Sequence, residues 1–396
     1  MAKRALAFAI LIGSSVLAVP AAAQVTRNFS GNLSLGVLRD TNVARSSEAL
    51  ALARGVERED TILTPSASID WTQPIGRSSV FARGSVGYRI YDKNTDLNRE
   101  VADIQGGFGT RVGPCQGSAV ASFSRRQRDL EDLAIPNPKA IQDTTGVNLQ
   151  TVCGLTAGLG VSLGAGQIWG ESSGAADTVD YETQSVSAGL VYRRSTLGEA
   201  QVFISHAETE YSNALVPATT SGYEVESIGA TYSRKVGSRL KGSVSASQTE
   251  VNSTSAVAGA GSNYSGLNYA VQVDYQPTSR LSLGLLWDRS VKPSVQVGRL
   301  YSLREGVALN ASYKLGTRFT YSVGVRRRDN TSRGSLFAAV PSLAKSRSDE
   351  WNTGLRFQQS DRLSFVLDAS HTKYDANDPL FDYSATRVGL TTSVSF

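Results

Sequence analysis

This 396-residue sequence has few of the histidine and cysteine side chains on which many catalytic and metal sites depend, because it holds two of each, and it has no methionine after the first residue. His206 lies among serine and glutamate residues, and His371 lies far from it in the sequence. A zinc site needs several such ligands close together, and a nucleophilic triad needs a histidine between an acid and a nucleophile. The two histidines are not close together in the sequence, and no Cys-x-x-Cys spacing is present. We therefore expect no enzyme activity, no metal and no other cofactor.

Long hydrophobic runs are also absent after residue 23, although a membrane-spanning helix needs about 20 consecutive apolar residues. Before that point, Lys3 and Arg4 precede an apolar stretch that ends at Pro20 and leads into three alanines. This order is typical of a cleaved signal peptide. We predict that residues 1–23 are removed, that the protein is exported, and that residues 24–396 form one domain.

An excess of one charge is missing as well, because the net charge is only +5 and the charged residues are spread along the chain. A protein that binds nucleic acid normally concentrates positive charge on one face or in one segment. The sequence therefore indicates no nucleic-acid partner.

What the sequence does contain is an alternation of apolar and polar residues, repeated in segments of about ten residues from position 28 to the end. In one segment, Phe319, Tyr321 and Val323 alternate with Thr320 and Ser322. Successive side chains of a β-strand point to opposite sides, so the alternation is typical of strands with one apolar face.

The connections between these segments alternate in length. Eight short turns that carry Pro, Gly or Ser alternate with nine longer polar stretches, which include residues 39–60, 289–299 and 329–346. Short periplasmic turns and long extracellular loops are typical of transmembrane β-barrels. We predict an all-β fold, an antiparallel barrel of about 18 strands (16–18), with both chain termini on the periplasmic side. A soluble β-sandwich shows the same local alternation, but it gives no reason for turns and loops to alternate along the whole chain.

The end of the chain indicates where the barrel is assembled. The last segment alternates from Val388 to a terminal Phe396, which resembles the signal by which outer-membrane barrels are recognised for insertion. We therefore expect the cell outer membrane as the location, and outer-membrane lipid and the barrel-insertion machinery as partners.

The two cysteines fall where two predicted strands return to the same end of the barrel. Cys115 follows a short turn, and Cys153 ends the next strand. Antiparallel pairing brings these two positions together, and an exported protein meets an oxidising compartment. We predict a Cys115–Cys153 disulfide, with two free thiols as the alternative.

The polar face of the strands is the surface on which a function can be sought. Cations outnumber acids there, and barrels of 16 to 18 strands leave room for an aqueous channel. A polar interior braced by Arg–Asp pairs has the same composition without any transport, so a braced interior and a mildly cationic path for neutral or anionic solutes both stay open. The residues predicted to line the lumen are Arg83, Arg89, Arg111, Arg126, Arg128, Asp274, Asp288, Arg326, Arg328 and Arg356, together with Asp70, Tyr91, Asp103, Lys241, Lys314, Asp368 and Arg387.

The first hairpin carries a more specific pattern, in which Asp40-Thr41-Asn42-Val43 opens a loop that a Glu-Asp pair at residues 59–60 closes. This region resembles the beta-barrel porin 2 family, whose members often accompany exopolysaccharide assembly and export. The resemblance implies an outer-membrane channel that takes part in export or assembly of an extracellular polysaccharide, with polysaccharide-export components as partners. A solute-uptake porin is the alternative function, and a structural barrel that does not conduct is a third.

Overall fold

The computed structural model describes residues 28–127, 141–154, 158–173, 179–213, 221–254, 263–294, 299–335 and 345–396, and within them the chain forms eighteen β-strands. The first nine are β1 (Asn28–Asp40), β2 (Asp60–Ile75), β3 (Ser78–Tyr91), β4 (Arg99–Val112), β5 (Cys115–Gln127), β6 (Ile141–Gly154), β7 (Leu159–Ser173), β8 (Val179–Arg194) and β9 (Gly198–Asn213). The other nine are β10 (Ser221–Val236), β11 (Leu240–Ser253), β12 (Tyr264–Tyr275), β13 (Leu281–Pro293), β14 (Arg299–Leu315), β15 (Phe319–Ser335), β16 (Lys345–Gln358), β17 (Leu363–Ala376) and β18 (Tyr383–Ser395). The predicted signal peptide lies outside the described residues.

Each strand pairs antiparallel with the next, and β1 also pairs with β18, so the sheet closes into a barrel. The closing ladder runs from Asn32 opposite Ser395 to Asp40 opposite Arg387. Closure pairs the backbone groups that the first and last strands of an open sheet would leave exposed. The predicted fold, an antiparallel all-β barrel of about 18 strands, is confirmed.

The outer face of the barrel carries a broad apolar belt. Along β1, Leu33, Leu35 and Val37 are each about half exposed. Val37 lies opposite Leu63 of β2 and Leu390 of β18, which are exposed on the same face. Apolar side chains that stay exposed in strict alternation are typical of strands that contact lipid. The fold is therefore that of an outer-membrane β-barrel.

Four of the short turns at the periplasmic end of the barrel depend on glycine. Gly76, Gly113, Gly237 and Gly316 have φ angles between 56° and 69°. Residues with a Cβ avoid this left-handed conformation, whereas glycine adopts it at little cost. Each of these glycines lets two consecutive strands reverse direction and pair at once.

A disulfide joins two strands at this same end. Cys115 is the first residue of β5, and Cys153 lies one residue before the end of β6. The two residues lie directly opposite each other in the ladder and are bonded through their sulfur atoms.

On the extracellular side the strands continue well beyond the apolar belt. β14 and β15 each contain 17 residues. A strand of that length, tilted by about 40°, rises roughly 40 Å, compared with roughly 25 Å for the apolar band. The loops predicted at 289–299 and 329–346 are therefore wrong in extent, because β13 and β15 run on into both of them. Polar residues above the membrane continue the ladder in water, so the end of apolar alternation does not mark the end of a strand.

The polar stretch predicted as a loop at residues 39–60 also contains regular structure. A short helix, α1 (Glu48–Ala53), begins after Ser47, whose side chain accepts a hydrogen bond from the backbone nitrogen of Leu50. The helix has one buried residue, Ala51, which marks the side that packs against the barrel. Among the described residues, no helix is long and apolar enough to cross a bilayer.

Candidate functional site

Contacts between distant strands identify the inner face of the barrel. The hydroxyl of Tyr211 in β9 donates to the carbonyl oxygen of Leu300 in β14, 2.5 Å away. Arg126 of β5 lies within electrostatic range of Lys292 of β13, and these strands are eight positions apart in the ring. Strands that are not neighbours can meet only across the interior of a closed barrel, so these side chains face the lumen.

The pairing register extends this assignment around the barrel, because directly paired residues share a face and successive residues alternate between faces. Every predicted lumen residue within the described ranges lies on the inner face, whereas Arg128 lies outside those ranges. The inner-face residues are Arg83, Arg89, Arg111, Arg126, Asp274, Asp288, Arg326, Arg328 and Arg356, with Asp70, Tyr91, Asp103, Lys241, Lys314, Asp368 and Arg387.

At the extracellular end, residues 41–59, here called the loop-1 cap, fold into the lumen. Val43, Ala44 and Val56 of the cap are buried in one cluster with Ile62 of β2 and Tyr91 of β3. Ile62 and Tyr91 lie on the inner face by the register. The cap therefore covers the inner wall of the barrel and does not rest on its rim.

The loop-1 cap also reaches the last strands of the barrel. Leu50 of α1 packs against a buried cluster that includes Tyr374 of β17 and Tyr383 of β18. The rings of these two tyrosines are stacked with their centroids 5.2 Å apart. The cap thus spans the inner wall from β17, across the closing ladder, to β3.

The Asp-x-Asn-Val element of the first hairpin holds one end of the cap. The carboxylate of Asp40, which is 1% exposed, accepts a hydrogen bond from the backbone nitrogen of Asn42 and forms an ion pair with Arg45. The side-chain nitrogen of Asn42 donates to the carbonyl oxygens of Ser46 and Ser384. The element therefore closes a turn and ties it to β18, a role that its spacing alone does not reveal.

Asp60 holds the other end of the cap. Its carboxylate accepts hydrogen bonds of 2.7 to 3.0 Å from the backbone nitrogens of Thr61, Lys93 and Asn94 and from the side chain of Asn94. Burial by itself would raise the pKa of Asp60, but these donors stabilise the charged form and bring the pKa below its usual value of 3.8. Asp60 is therefore ionised at neutral pH and fixes the loop that follows β3.

The opposite side of the mouth is filled by the upper part of the β13–β14 hairpin. These residues, 290–293 and 299–303, are here called the inward hairpin. Val291, Leu300 and Tyr301 are buried against Tyr211 of β9 and Tyr223 of β10. The rings of Tyr223 and Tyr301 lie with their centroids 5.6 Å apart. The inward hairpin thus leaves the barrel wall and packs against the inner face of other strands.

Near the base of the inward hairpin, cations surround Asp288. Four cations lie within electrostatic range of its carboxylate, and a fifth approaches from the opposite wall. This cationic cluster comprises Arg126, Lys292, Arg304, Arg326 and Arg328. One further acid, Glu350, lies 3.9 Å from Arg326. Among the described residues, five cations thus accompany two carboxylates in this part of the lumen, which gives it an excess of positive charge.

Other charged residues of the inner wall have partners that brace the barrel. Arg83 lies 3.6 Å from Asp70, and Arg387 lies 4.0 Å from Asp40. Asp274 accepts a hydrogen bond from Gln272 at 3.3 Å. The two ion pairs join neighbouring strands and fit a braced interior, whereas the cationic cluster contains five cations and two carboxylates.

Sequence reasoning missed two members of the cationic cluster. Lys292 falls in a stretch predicted as loop, and Arg304 lies five residues after the start of β14, where the apolar alternation has not yet begun. Arg304 does keep the parity of Gly306 and Ala308, so an extended strand would have placed it on the inner face. Within the described ranges, no three His, Cys, Asp or Glu side chains are grouped as a metal site.

Comparisons with known proteins find similarity of shape only. No family model matches the chain, and no curated protein matches it either. It is similar to Pseudomonas aeruginosa OccK2 (OpdF), at 11% identity over 93% of this chain and 98% of that chain with a TM-score of 0.48. It is similar to opdK from the same organism, at 12% identity over 93% and 99% with a TM-score of 0.46. The siderophore receptor PirA from P. aeruginosa gives 12% identity over 93% and 80%, with a TM-score of 0.44.

Proposed function

We propose that this protein is an outer-membrane channel for the uptake of small anionic solutes. The observation that carries the proposal is the cationic cluster, which concentrates five positive charges and two negative ones in the lumen. A lumen lined by one sign of charge raises the local concentration of ions of the opposite sign. An anion that enters the mouth therefore meets an attractive region beside the inward hairpin.

The geometry of the mouth favours a small solute over a polymer. The loop-1 cap covers the inner wall from β17 to β3, and the inward hairpin crosses to the wall formed by β9 and β10. Both segments take up space that an open bore of 18 strands would leave for water. Export of an extracellular polysaccharide, which the resemblance around Asp40 and Asn42 implies, is the second candidate function.

Ion selectivity in planar bilayers tests the role of the cationic cluster. We expect the purified wild-type barrel to prefer anions, and the double variant Arg326→Gln with Arg328→Gln to lose much of that preference. The difference should shrink at high salt, because mobile ions screen the fixed charges. The matched control is Arg327→Gln, which removes a charge from the same strand but from the outer face, where Arg327 pairs with Asp349. An equal loss in the control, or a cation-selective wild type, would contradict the proposal.

A deletion strain separates the two candidate functions. Uptake of small carboxylates or phosphates should slow in the deletion strain, and growth on them at low concentration should fall, while secreted polysaccharide stays normal. The double variant should reproduce this defect with a normal amount of folded barrel, measured by its heat-dependent mobility on gels. Loss of secreted polysaccharide with unchanged uptake would instead support the export function.

A further inference from the structure

The ladder between β12 and β13 is incomplete on the extracellular side. These strands pair from Tyr275 opposite Leu283 up to Tyr269 opposite Arg289, and no further. Above that point, Tyr264 to Asn268 pair with β11 alone, and the residues after Arg289 pair with β14 alone. The inward hairpin turns away from β12 here, so the pairing between two neighbouring strands of the wall is interrupted. We call this break in the pairing the seam.

Aromatic residues on the outer face of the barrel indicate the level at which the seam lies in the membrane. Tyr269 and Trp287 lie just below it on the outer face, with ring centroids 4.8 Å apart. Tyrosine and tryptophan on the outer face of a barrel collect at the boundary between hydrocarbon and headgroups. β12 has only 12 residues, so at a tilt of about 40° its upper end rises roughly 30 Å, little more than the apolar band. The upper end of the seam, where Tyr264 lies, is therefore at the level of the outer-leaflet headgroups.

Two cations meet one aromatic ring inside the seam. The guanidinium carbons of Arg289 and Arg333 lie 5.8 and 5.7 Å from the ring centroid of Tyr264. By the register, Arg289 belongs to the outer face and Tyr264 to the inner face. Arg289 and Tyr264 can touch because β13 and β12, the neighbouring strands that carry them, are not paired above this point. Among the described residues, neither arginine takes part in an ion pair, and Glu305, opposite Arg289, accepts a hydrogen bond from Tyr269.

Buried polar atoms at the base of the seam also lack partners. The hydroxyl oxygen of Ser290, a residue that is 3% exposed, and the side-chain oxygen of Asn268 have no hydrogen-bond partner among the described residues. The hydroxyl of Tyr264 has none either. If the ladder between β12 and β13 continued by one more pair, Ser290 would lie opposite Asn268. Buried polar groups without partners cost free energy, so their presence points to a polar group that binds there.

We propose that the seam binds the phosphate group of an outer-leaflet lipid. The two arginines supply positive charge and donors that suit a phosphate, and Ser290 and Tyr264 supply hydroxyl donors. The acyl chains of the same lipid would lie against the apolar belt below Tyr269 and Trp287. This proposal does not depend on solute uptake, because the arginines of the seam are not members of the cationic cluster.

Lipid binding to the purified full-length barrel, followed by native mass spectrometry, tests the proposal. The probes are lipid A with two phosphates and the same lipid after dephosphorylation. We expect the wild-type barrel to retain the phosphorylated lipid and to release the dephosphorylated one. Equal retention of the two lipids would overturn the proposal without the use of any variant.

Two double variants test which residues bind the lipid phosphate. The double variant Arg289→Gln with Arg333→Gln should bind phosphorylated lipid A about 30-fold more weakly, because each cation at an anionic membrane surface contributes to affinity. The control is Arg347→Gln with Lys373→Gln, which removes two outer-wall cations that already pair with Asp329 and Asp375. The control should bind as the wild type does, and an equal loss in both double variants would contradict the proposal.

Inorganic phosphate distinguishes the lipid from a free anion. Millimolar phosphate should fail to displace lipid A from the wild-type barrel, since the acyl chains add to its affinity. Displacement at that concentration would show a site for free anions and would overturn the assignment to lipid.

Discussion

The two segments that fill the extracellular mouth are held in place by different forces. The loop-1 cap is tied at its ends by two buried carboxylates, Asp40 and Asp60, each of which accepts several hydrogen bonds. The inward hairpin is held by packed tyrosines and by the hydroxyl of Tyr211, which donates to Leu300 and accepts from the backbone nitrogen of Ser294.

This difference between the contacts of the two segments indicates which of them can move. A buried carboxylate binds in one geometry, and breaking its contacts leaves donors unpaired, so the cap is either in place or released. Apolar packing has no fixed direction, so the inward hairpin can shift while it stays buried. We therefore expect the cap to be a fixed narrowing of the lumen and the hairpin to be its adjustable side.

The largest effect is expected from the variant Asp60→Ala. It leaves the backbone donors of Thr61, Lys93 and Asn94 without their acceptor, and it should destabilise the cap by about 3–5 kcal/mol. Hydrogen exchange should show loss of protection at residues 41–59, and single-channel conductance should rise. Protection that stays as in the wild type would show that the cap does not depend on this carboxylate.

Acid should release the cap of the wild-type protein in the same way but to a smaller extent. The pKa of Asp60 is lowered in the folded protein, so its contribution to stability is complete above its ordinary value of 3.8 and is lost as the pH falls through the lower folded value. Exchange at residues 41–59 should therefore rise below about pH 3.8. Asp60→Asn, whose side chain cannot titrate, should show a smaller rise than the wild type does, and a wild-type transition near neutral pH would contradict the assignment.

A smaller effect is expected on the inward hairpin from Tyr211→Phe. The variant keeps the packed ring but removes the hydrogen bonds to Leu300 and from Ser294, which should cost about 1–2 kcal/mol. Exchange should accelerate at residues 299–303 and stay unchanged at residues 41–59. A variant that also loosens the cap would show that the two segments are coupled.

The smallest effect is expected outside the lumen, from Arg347→Gln. Arg347 forms an ion pair of 2.7 Å with Asp329 on the outer wall, where both side chains are about half exposed. Exposed pairs contribute at most about 1 kcal/mol, and salt screens them. The temperature of thermal unfolding should shift little, and the conductance should not change. A large loss of stability would show that ion pairs on the wall above the apolar belt stabilise the barrel more than their exposure indicates.

Much of the barrel follows from the sequence, because a strand with one lipid face must alternate strictly, and that alternation fixes which residues face inward. The placement of Arg326 and Arg328 depends on parity alone and needs no contact with a distant part of the chain. The two segments that fill the mouth depend on contacts across the lumen, such as that between Tyr211 and Leu300, and local sequence cannot show them. One signal was available, since Leu50 and Ala51 form part of an apolar run inside a polar loop, which marks a surface that must be buried.

The disulfide has a consequence for how the inner face is specified. A slip of one residue between two strands turns every side chain of the slipped strand to the other face. The bond between Cys115 and Cys153 permits only the alignment in which these residues lie opposite each other, and in that alignment Arg126 points into the lumen. Oxidation therefore fixes the register of β5 and β6 covalently, and the oxidised fraction of a preparation gives a lower limit for the fraction in which these strands are correctly aligned.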